Sequence, residues 1–131
     1  MSRAPVAGLV VGVWAVIPPY LSAFGGLNVE PRVEFADHVL PGCVVLTASV
    51  IAHLRLRSHQ PSQLLMFVWG VVIALAGFWM VATHSALISP ARQGIVPWGA
   101  VAWHGVPGLA VTILGVLWTV RFWGSEASEK A

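Results

Sequence analysis

The chain has 131 residues, of which 57% are hydrophobic and only 9% are Asp, Glu, Lys or Arg, and its mean hydropathy is +0.81. Soluble domains carry roughly a quarter charged residues, so this composition excludes an ordinary soluble domain. The formal net charge of +2, without a run of basic residues, argues against nucleic acid as a partner. We therefore predict a single membrane domain over residues 1–131, in contact with the lipid bilayer.

Four stretches lack these charged residue types, and a bilayer-crossing helix needs about 20 mostly apolar residues. They predict four transmembrane helices at about residues 5–24, 38–54, 62–87 and 100–122. Pro5 suits the first turn of the first helix, where its missing N–H costs nothing. The predicted fold class is all-α, a four-helix transmembrane bundle.

The charged residues between these spans predict how the chain is oriented. One side would carry five basic residues and the opposite side only two, alongside the acidic residues Glu30, Glu34 and Asp37. The positive-inside rule then places both termini in the cytoplasm, with the bundle in the inner or plasma membrane of the cell. The first apolar stretch runs past the 7–15 residues of a signal-peptide core, so we predict that this span is retained.

Two motifs recur along the chain at almost the same offset. Residues 36–42 and 102–108 both read Ala-x-His-x-x-Pro-Gly, and Gly12-Val-Trp14 matches Gly77-Phe-Trp79. Such a repeat predicts two tandem helical hairpins related by a pseudo-two-fold axis along the membrane normal. We expect each motif proline in the first turn of its helix and each following glycine in close interhelix contact. The hairpins are predicted at about residues 5–57 and 62–123.

The first hairpin resembles a known family of small membrane proteins. Residues 9–21 look like the opening of an SPW-repeat hairpin, with Pro18-Pro19-Tyr20 standing where Ser-Pro-Trp is expected. The second hairpin keeps Gly77-Phe-Trp79 and has Thr83-His84-Ser85 at the position of the signature. The resemblance implies a small integral membrane protein built of hairpins, and it implies no particular reaction.

Three histidines reach the non-cytoplasmic side in this topology: His38, His84 and His104. Pseudo-symmetry would turn His38 and His104 toward each other, and imidazoles on facing helices can hold a haem iron or a metal ion. His84 would add a third ligand or orient one of the pair. In the competing interpretation, these side chains lie among headgroups and water and hydrogen-bond backbone groups in the end turns. The sequence contains no HExxH, CxxCH or similar motif that would support the ligand interpretation.

Three functions fit these features, and no catalytic residue is predicted. The leading hypothesis is a non-catalytic accessory or structural subunit of a larger membrane complex. It would pack against other membrane subunits, or a second copy, through small residues such as Gly8, Gly12, Gly70, Gly77, Gly108 and Gly115. The alternative is a membrane electron-transfer protein that binds haem or a metal through His38 and His104. The third is an oligomeric small-solute transporter, since parallel repeats occur in transporters.

Two further residue types are interpreted structurally. Cys43, the one cysteine, is predicted to fill space in the core, as buried free cysteine usually does. The pairs Trp98 and Trp103, and Trp118 and Trp123, are predicted to form aromatic belts at the two ends of the fourth span.

Overall fold

A computed structural model describes residues 4–17, 35–58 and 62–123, and within these ranges every regular element is a helix. The all-α prediction is therefore confirmed. A π-helical turn at Phe35–Val39 leads directly into the second helix. The helices in chain order are α1 (Ala4–Val16), α2 (Leu40–Arg57), α3 (Gln63–Ser85), α4 (Ile88–Arg92) and α5 (Trp98–Trp123).

Three helical segments are long and apolar enough to cross a membrane, judged by length and composition: Phe35–Arg57, Gln63–Ser85 and Trp98–Trp123. They agree with the second, third and fourth predicted spans to within three residues at either end. This finding supports a membrane protein.

The first span is described only in part. α1 begins where the sequence predicts, and it has 13 residues, which is about 20 Å of helix. The hydrocarbon core of a bilayer is about 30 Å thick, so the described helix alone is too short to cross it. The predicted end of this span near residue 24 lies outside the described residues.

The pair formed by α3 and α5 is the most extensive helix contact in the described structure. The two helices run antiparallel, because Gly70 faces Thr119 while Gly77 faces Thr112. A Cβ atom at Gly77 would lie only 2.6 Å from the Thr112 hydroxyl oxygen. Glycine thus allows the two backbones to approach closely, as small residues do in membrane helix pairs.

α1 and α2 pack in the same way. Gly12 of α1 faces Leu46 of α2, and a Cβ atom at Gly12 would lie 2.9 Å from Leu46 Cγ. The contact between Gly77 and Thr112 joins residues 65 and 66 positions further along the chain. The two helix pairs therefore repeat a contact as well as a sequence motif.

The glycine that ends each repeated motif makes a second pair of matching contacts. Gly42 faces Val16 across α1 and α2, and Gly108 faces Val81 across α3 and α5. The expectation of close interhelix contact at these two glycines is confirmed.

Less extensive contacts between α2 and α3, and between α1 and α5, join the two pairs into a four-membered ring. The core at its centre draws on three helices. It contains Val45, Ala48, Ala52, Met66, Ile73, Val111 and Trp118.

The two motif prolines occupy different positions in their helices. Pro41 lies in the first turn of α2, as the motif predicts. The same prediction is wrong for Pro107, because α5 begins at Trp98 and the proline falls inside the helix. Pro107 has no N–H to donate to the carbonyl at position 103, so one helical hydrogen bond is missing there.

Two side-chain predictions are also corrected. Cys43 is exposed on α2, so its interpretation as core filler is wrong. Trp118 is only 3% exposed and belongs to the core, so it is not part of an aromatic belt. Trp98 and Trp123, at the two ends of α5, are more than half exposed and are free to meet headgroups.

The small residues proposed as faces for partner helices are used inside the chain. Each of these glycines faces a neighbouring helix at a distance that leaves no room for a side chain, because the chain's own helices already occupy that space. They are Gly8, Gly12, Gly70, Gly77, Gly108 and Gly115.

Candidate histidine site

The bundle has two chemically distinct ends. We call the arginine end the one where α2 and α5 finish, with Arg55, Arg57 and Arg121 in their last turns. α3 begins at that end, because it runs antiparallel to α5. We call the opposite end, where the π turn leads into α2 and where α3 finishes, the histidine end. The contents of the histidine end are the candidate site.

His38 lies in the π turn at this end and is fully buried. Pro41 follows three residues later and cannot donate a hydrogen bond to the carbonyl of Asp37, so an α-helical bond is absent where the wider turn occurs. Single π turns inside helices are frequent at functional sites, since they re-aim a side chain relative to an α-helical path. The turn sets the direction from which the ring of His38 enters the bundle.

His84 lies in the last turn of α3 and is 9% exposed. Its Nδ1 atom is 2.7 Å from the backbone carbonyl oxygen of Met80. A carbonyl oxygen can only accept, so Nδ1 carries a proton and donates it to Met80. The hydroxyl of Thr83 lies 3.2 Å from the same nitrogen.

The two histidine rings are in contact. Their centroids are 4.6 Å apart and their planes are inclined by 53°. The contact joins α2 to α3, one of the two less extensive helix interfaces of the ring. It brings two nitrogen-bearing side chains together in a region whose other buried groups are mostly apolar.

This separation can be compared with the two kinds of ligand site predicted from the sequence. Two imidazoles that bind one tetrahedral ion at about 2.0–2.1 Å place their ring centroids roughly 5 Å apart. Two axial histidines on opposite faces of a haem place them roughly 6 Å apart, with the porphyrin between them. The 4.6 Å between the centroids of His38 and His84 is shorter than either value and lies within the range of rings that pack directly against each other.

The structure treats the three predicted ligand residues differently. It buries His38 and sets His84 beside it. The backbone of His104 belongs to α5, but its side chain lies outside the described part of the structure, so its pairing with His38 stays a prediction. Among the described residues, no group of three His, Cys, Asp or Glu side chains is placed to hold a metal ion.

A second feature between α2 and α3 is an apolar groove with a volume of about 320 Å³, open at the surface of the bundle. It lies at the interface of α2 and α3, which is less extensive than the interfaces within the α1–α2 pair and the α3–α5 pair. Its lining comprises Ala36, Leu40, Pro41, Val44, Val72, Leu75, Ala76 and Trp79.

Sequence reasoning missed the contact between His38 and His84 because it followed the repeat, which matches His38 with His104. A simpler signal was present. His38 precedes the connection between α2 and α3 by about as many residues as His84 follows it. In an antiparallel pair of helices, such residues lie at the same level.

Comparisons with known proteins add no relative. No protein-family model matches the chain, and neither a curated protein nor a solved structure is significantly similar to it. The resemblance to SPW-repeat hairpins therefore stays a prediction.

Proposed function

We propose that this chain is a non-catalytic accessory or structural subunit of a larger membrane assembly. The observation that carries the proposal is the outward surface of its long helices. Large apolar side chains are exposed along each of them, whereas the charged side chains of the described residues, one aspartate and four arginines, stand only near helix ends. A chain with this surface acts by packing against other molecules inside the membrane. The exposed set includes Val50, Leu64, Phe78, Ile113, Leu117 and Val120.

The groove between α2 and α3 is the part of this surface that best suits a partner helix. It is concave and almost wholly apolar, and the exposed ring of Trp79 borders it. Aromatic side chains that border apolar pockets are frequent anchors of protein interfaces. We therefore assign the groove to apolar side chains of a neighbouring membrane subunit or of a second copy of this chain.

The proposal includes a finer fold, a bundle of four transmembrane helices made of two tandem hairpins of the SPW-repeat kind. Two observations support it. The contacts of Gly12 and Gly42 recur at Gly77 and Gly108, and the ring order of the helices is the one that a pseudo-two-fold axis requires. In this fold the first predicted span, at about residues 5–24, makes the first crossing, and its part beyond residue 17 lies outside the described residues.

The proposed orientation places the arginine end and both termini in the cytoplasm, with the bundle in the inner or plasma membrane. Three described arginines lie at that end, and Arg92 is the one described arginine at the histidine end. Fusions of a fluorescent reporter and of a periplasmic phosphatase to each terminus test this orientation. Fluorescence without phosphatase activity at both termini is expected, and opposite results at the two termini would contradict four crossings.

Purification in mild detergent, from membranes of the source cells, tests the accessory role. We expect other membrane proteins to co-purify with the chain. Trp79→Ala should reduce their recovery about tenfold, which corresponds to about 1.4 kcal/mol of binding free energy. Phe78→Ala is the matched control, because Phe78 is exposed beside Trp79 but does not line the groove.

Oxidative cross-linking through Cys43, the exposed and single cysteine, tells whether the neighbour is a second copy. A cross-linked dimer identifies self-association, and a heterologous protein in the purified fraction identifies a different subunit. A monodisperse monomer that brings no other protein with it contradicts the accessory role.

A further inference from the structure

We propose that the arginine end of the bundle binds anionic phospholipids through two stripes on its surface. Each stripe consists of two exposed apolar side chains followed by an exposed arginine at the end of a helix. The α2 stripe is Val50, Leu54 and Arg57, and the α5 stripe is Ile113, Leu117 and Arg121. The inference does not rest on the accessory role, because the groove assigned to a partner has none of these residues in its lining.

The spacing of each stripe places its members on one face of the helix. Residues three or four positions apart lie one above the other on a helix surface. The intervals are four and three residues in the α2 stripe and four and four in the α5 stripe. At 1.5 Å per residue the stripes are about 10 and 12 Å long, which fits within the roughly 15 Å of one leaflet's hydrocarbon.

The order of side chains along a stripe matches the shape of a phospholipid. Leu54 is 60% exposed and Leu117 is 64% exposed, and each leads outward to an arginine in the last turn of its helix. The ring of Phe122, with its centroid 6.0 Å from the guanidinium carbon of Arg121, contacts this cation without neutralising it. Acyl chains would therefore lie along the apolar part of a stripe, and the phosphate would meet the arginine.

The charge at this end sets the class of lipid. Arg55, Arg57 and Arg121 lie there, whereas the one carboxylate of the described residues, Asp37, lies at the histidine end. The sequence before α1 and after α5 has two basic and two acidic side chains, so it adds no net charge. Basic side chains near a membrane surface attract anionic lipids, so this excess favours a lipid with net negative charge over a zwitterionic one.

The histidine end lacks this combination. Its one described arginine, Arg92, is exposed in the five-residue helix α4, which is too short to carry such a stripe. The long helix that precedes it, α3, ends at Ser85 without a cation in its last turn other than the buried His84. Arg92 is therefore the natural control for the arginines of the stripes.

A competition between two lipids tests the proposal. The full chain is equilibrated in mixed detergent micelles with equal amounts of phosphatidylglycerol and phosphatidylcholine of the same acyl chains, and the lipids retained per chain are counted by native mass spectrometry. Both lipids carry a phosphate, so the comparison isolates net charge. We expect each stripe to retain phosphatidylglycerol with a preference of about fivefold, which converts to roughly 1 kcal/mol for each arginine.

Three substitutions of arginine separate the stripes from the rest of the surface. Arg57→Gln and Arg121→Gln should each remove the preference at one stripe, and the double variant should retain the two lipids equally. Arg92→Gln should keep the preference of the unchanged chain. All three positions are exposed, so the fold should be retained, and circular dichroism checks the helicity of each variant.

Leu117→Asn tests the apolar part of a stripe while Arg121 stays in place. It should weaken retention of both lipids at the α5 stripe without changing the preference between them. Unchanged retention would overturn the assignment of acyl chains to this stripe.

Three further outcomes would overturn the proposal as a whole. They are equal retention of the two lipids by the unchanged chain, a preference that persists in the double variant, and a preference that disappears in Arg92→Gln. A co-purified protein that is lost in Arg57→Gln and Arg121→Gln, with no lipid retained, would assign the stripes to a protein partner instead.

Discussion

α3 and α5 approach each other closely because glycine has only a hydrogen atom where every other residue carries a Cβ atom. A Cβ atom at Gly77 would lie 2.8 Å from the carbonyl oxygen of Gly108, as well as close to the Thr112 hydroxyl. Neither the backbone oxygen nor the short threonine side chain can move away cheaply. By contrast, a Cβ atom at Gly105, also in α5, meets nothing within 4 Å.

At the residue scale, Gly77→Ala is therefore expected to destabilise the protein by about 1–3 kcal/mol, the usual effect of adding a methyl group to a filled interior. The free energy of unfolding in mixed detergent micelles measures the change. Gly105→Ala is the matched control, and it should stabilise the protein by about 0.5–1 kcal/mol because alanine favours the helix and has room there. Equal effects of the two substitutions would show that close packing is not what glycine provides at position 77.

At the scale of a helix, the same motif has two structural outcomes. Pro41 stands in the first turn of α2, directly after the π turn, whereas Pro107 stands inside α5. Both prolines are buried, so both contribute packing. Only Pro107 interrupts a run of α-helical hydrogen bonds that begins well before it.

Pro107→Ala is expected to stabilise the protein by about 1 kcal/mol. Removing an interior proline raises the free energy of unfolding by about 3 kcal/mol, and the cavity left by its ring lowers it by about 2 kcal/mol. Pro41→Ala should destabilise by about 1 kcal/mol, because the packing lost with the proline ring outweighs the single hydrogen bond that an alanine N–H could donate to the carbonyl of Asp37. Unfolding measurements on the two variants compare these values. A larger loss of stability for Pro107→Ala than for Pro41→Ala would refute the assignment of their positions.

For the molecule as a whole, the four helices interact unequally. The α3–α5 and α1–α2 contacts are the more extensive ones, and they are the ones that carry the glycine approaches. A cut between residues 59 and 60 leaves both pairs intact, whereas a cut between residues 94 and 95 separates α3 from α5.

The two cuts are expected to give fragment complexes of different strength. Fragments 1–94 and 95–131 should associate more tightly than fragments 1–59 and 60–131, because the larger interface lies between them. A difference of at least about tenfold in dissociation constant, or about 1.4 kcal/mol, is expected. Pull-down through a tag on one fragment, after stepwise dilution in detergent, measures it. The reverse order would mean that the α2–α3 and α1–α5 interfaces hold the bundle together.

Much of the fold follows from the sequence, because three of the four predicted spans agree to within three residues with Phe35–Arg57, Gln63–Ser85 and Trp98–Trp123. Helix ends were harder to predict. Apolar content does not reveal that α5 starts upstream of its motif, and no local pattern announces the π turn before Pro41. Hydrophobicity also does not show which way a residue faces, which is why Cys43 and Trp118 were assigned to the wrong surfaces.

The residues of the candidate site could be predicted from the sequence, but their contact could not. Histidine within apolar segments singled out His38 and His84. Their contact depends on which helices are neighbours in the ring, and that order is a property of packing between distant segments, which a repeat alone does not determine.

The outward position of Cys43 gives every copy of the protein one thiol on its hydrophobic wall. A nitroxide attached to that sulfur would sit among acyl chains. Its collision rates with dissolved oxygen and with a water-soluble relaxing agent would then measure the depth of residue 43 in the bilayer. No engineered cysteine is needed for this measurement.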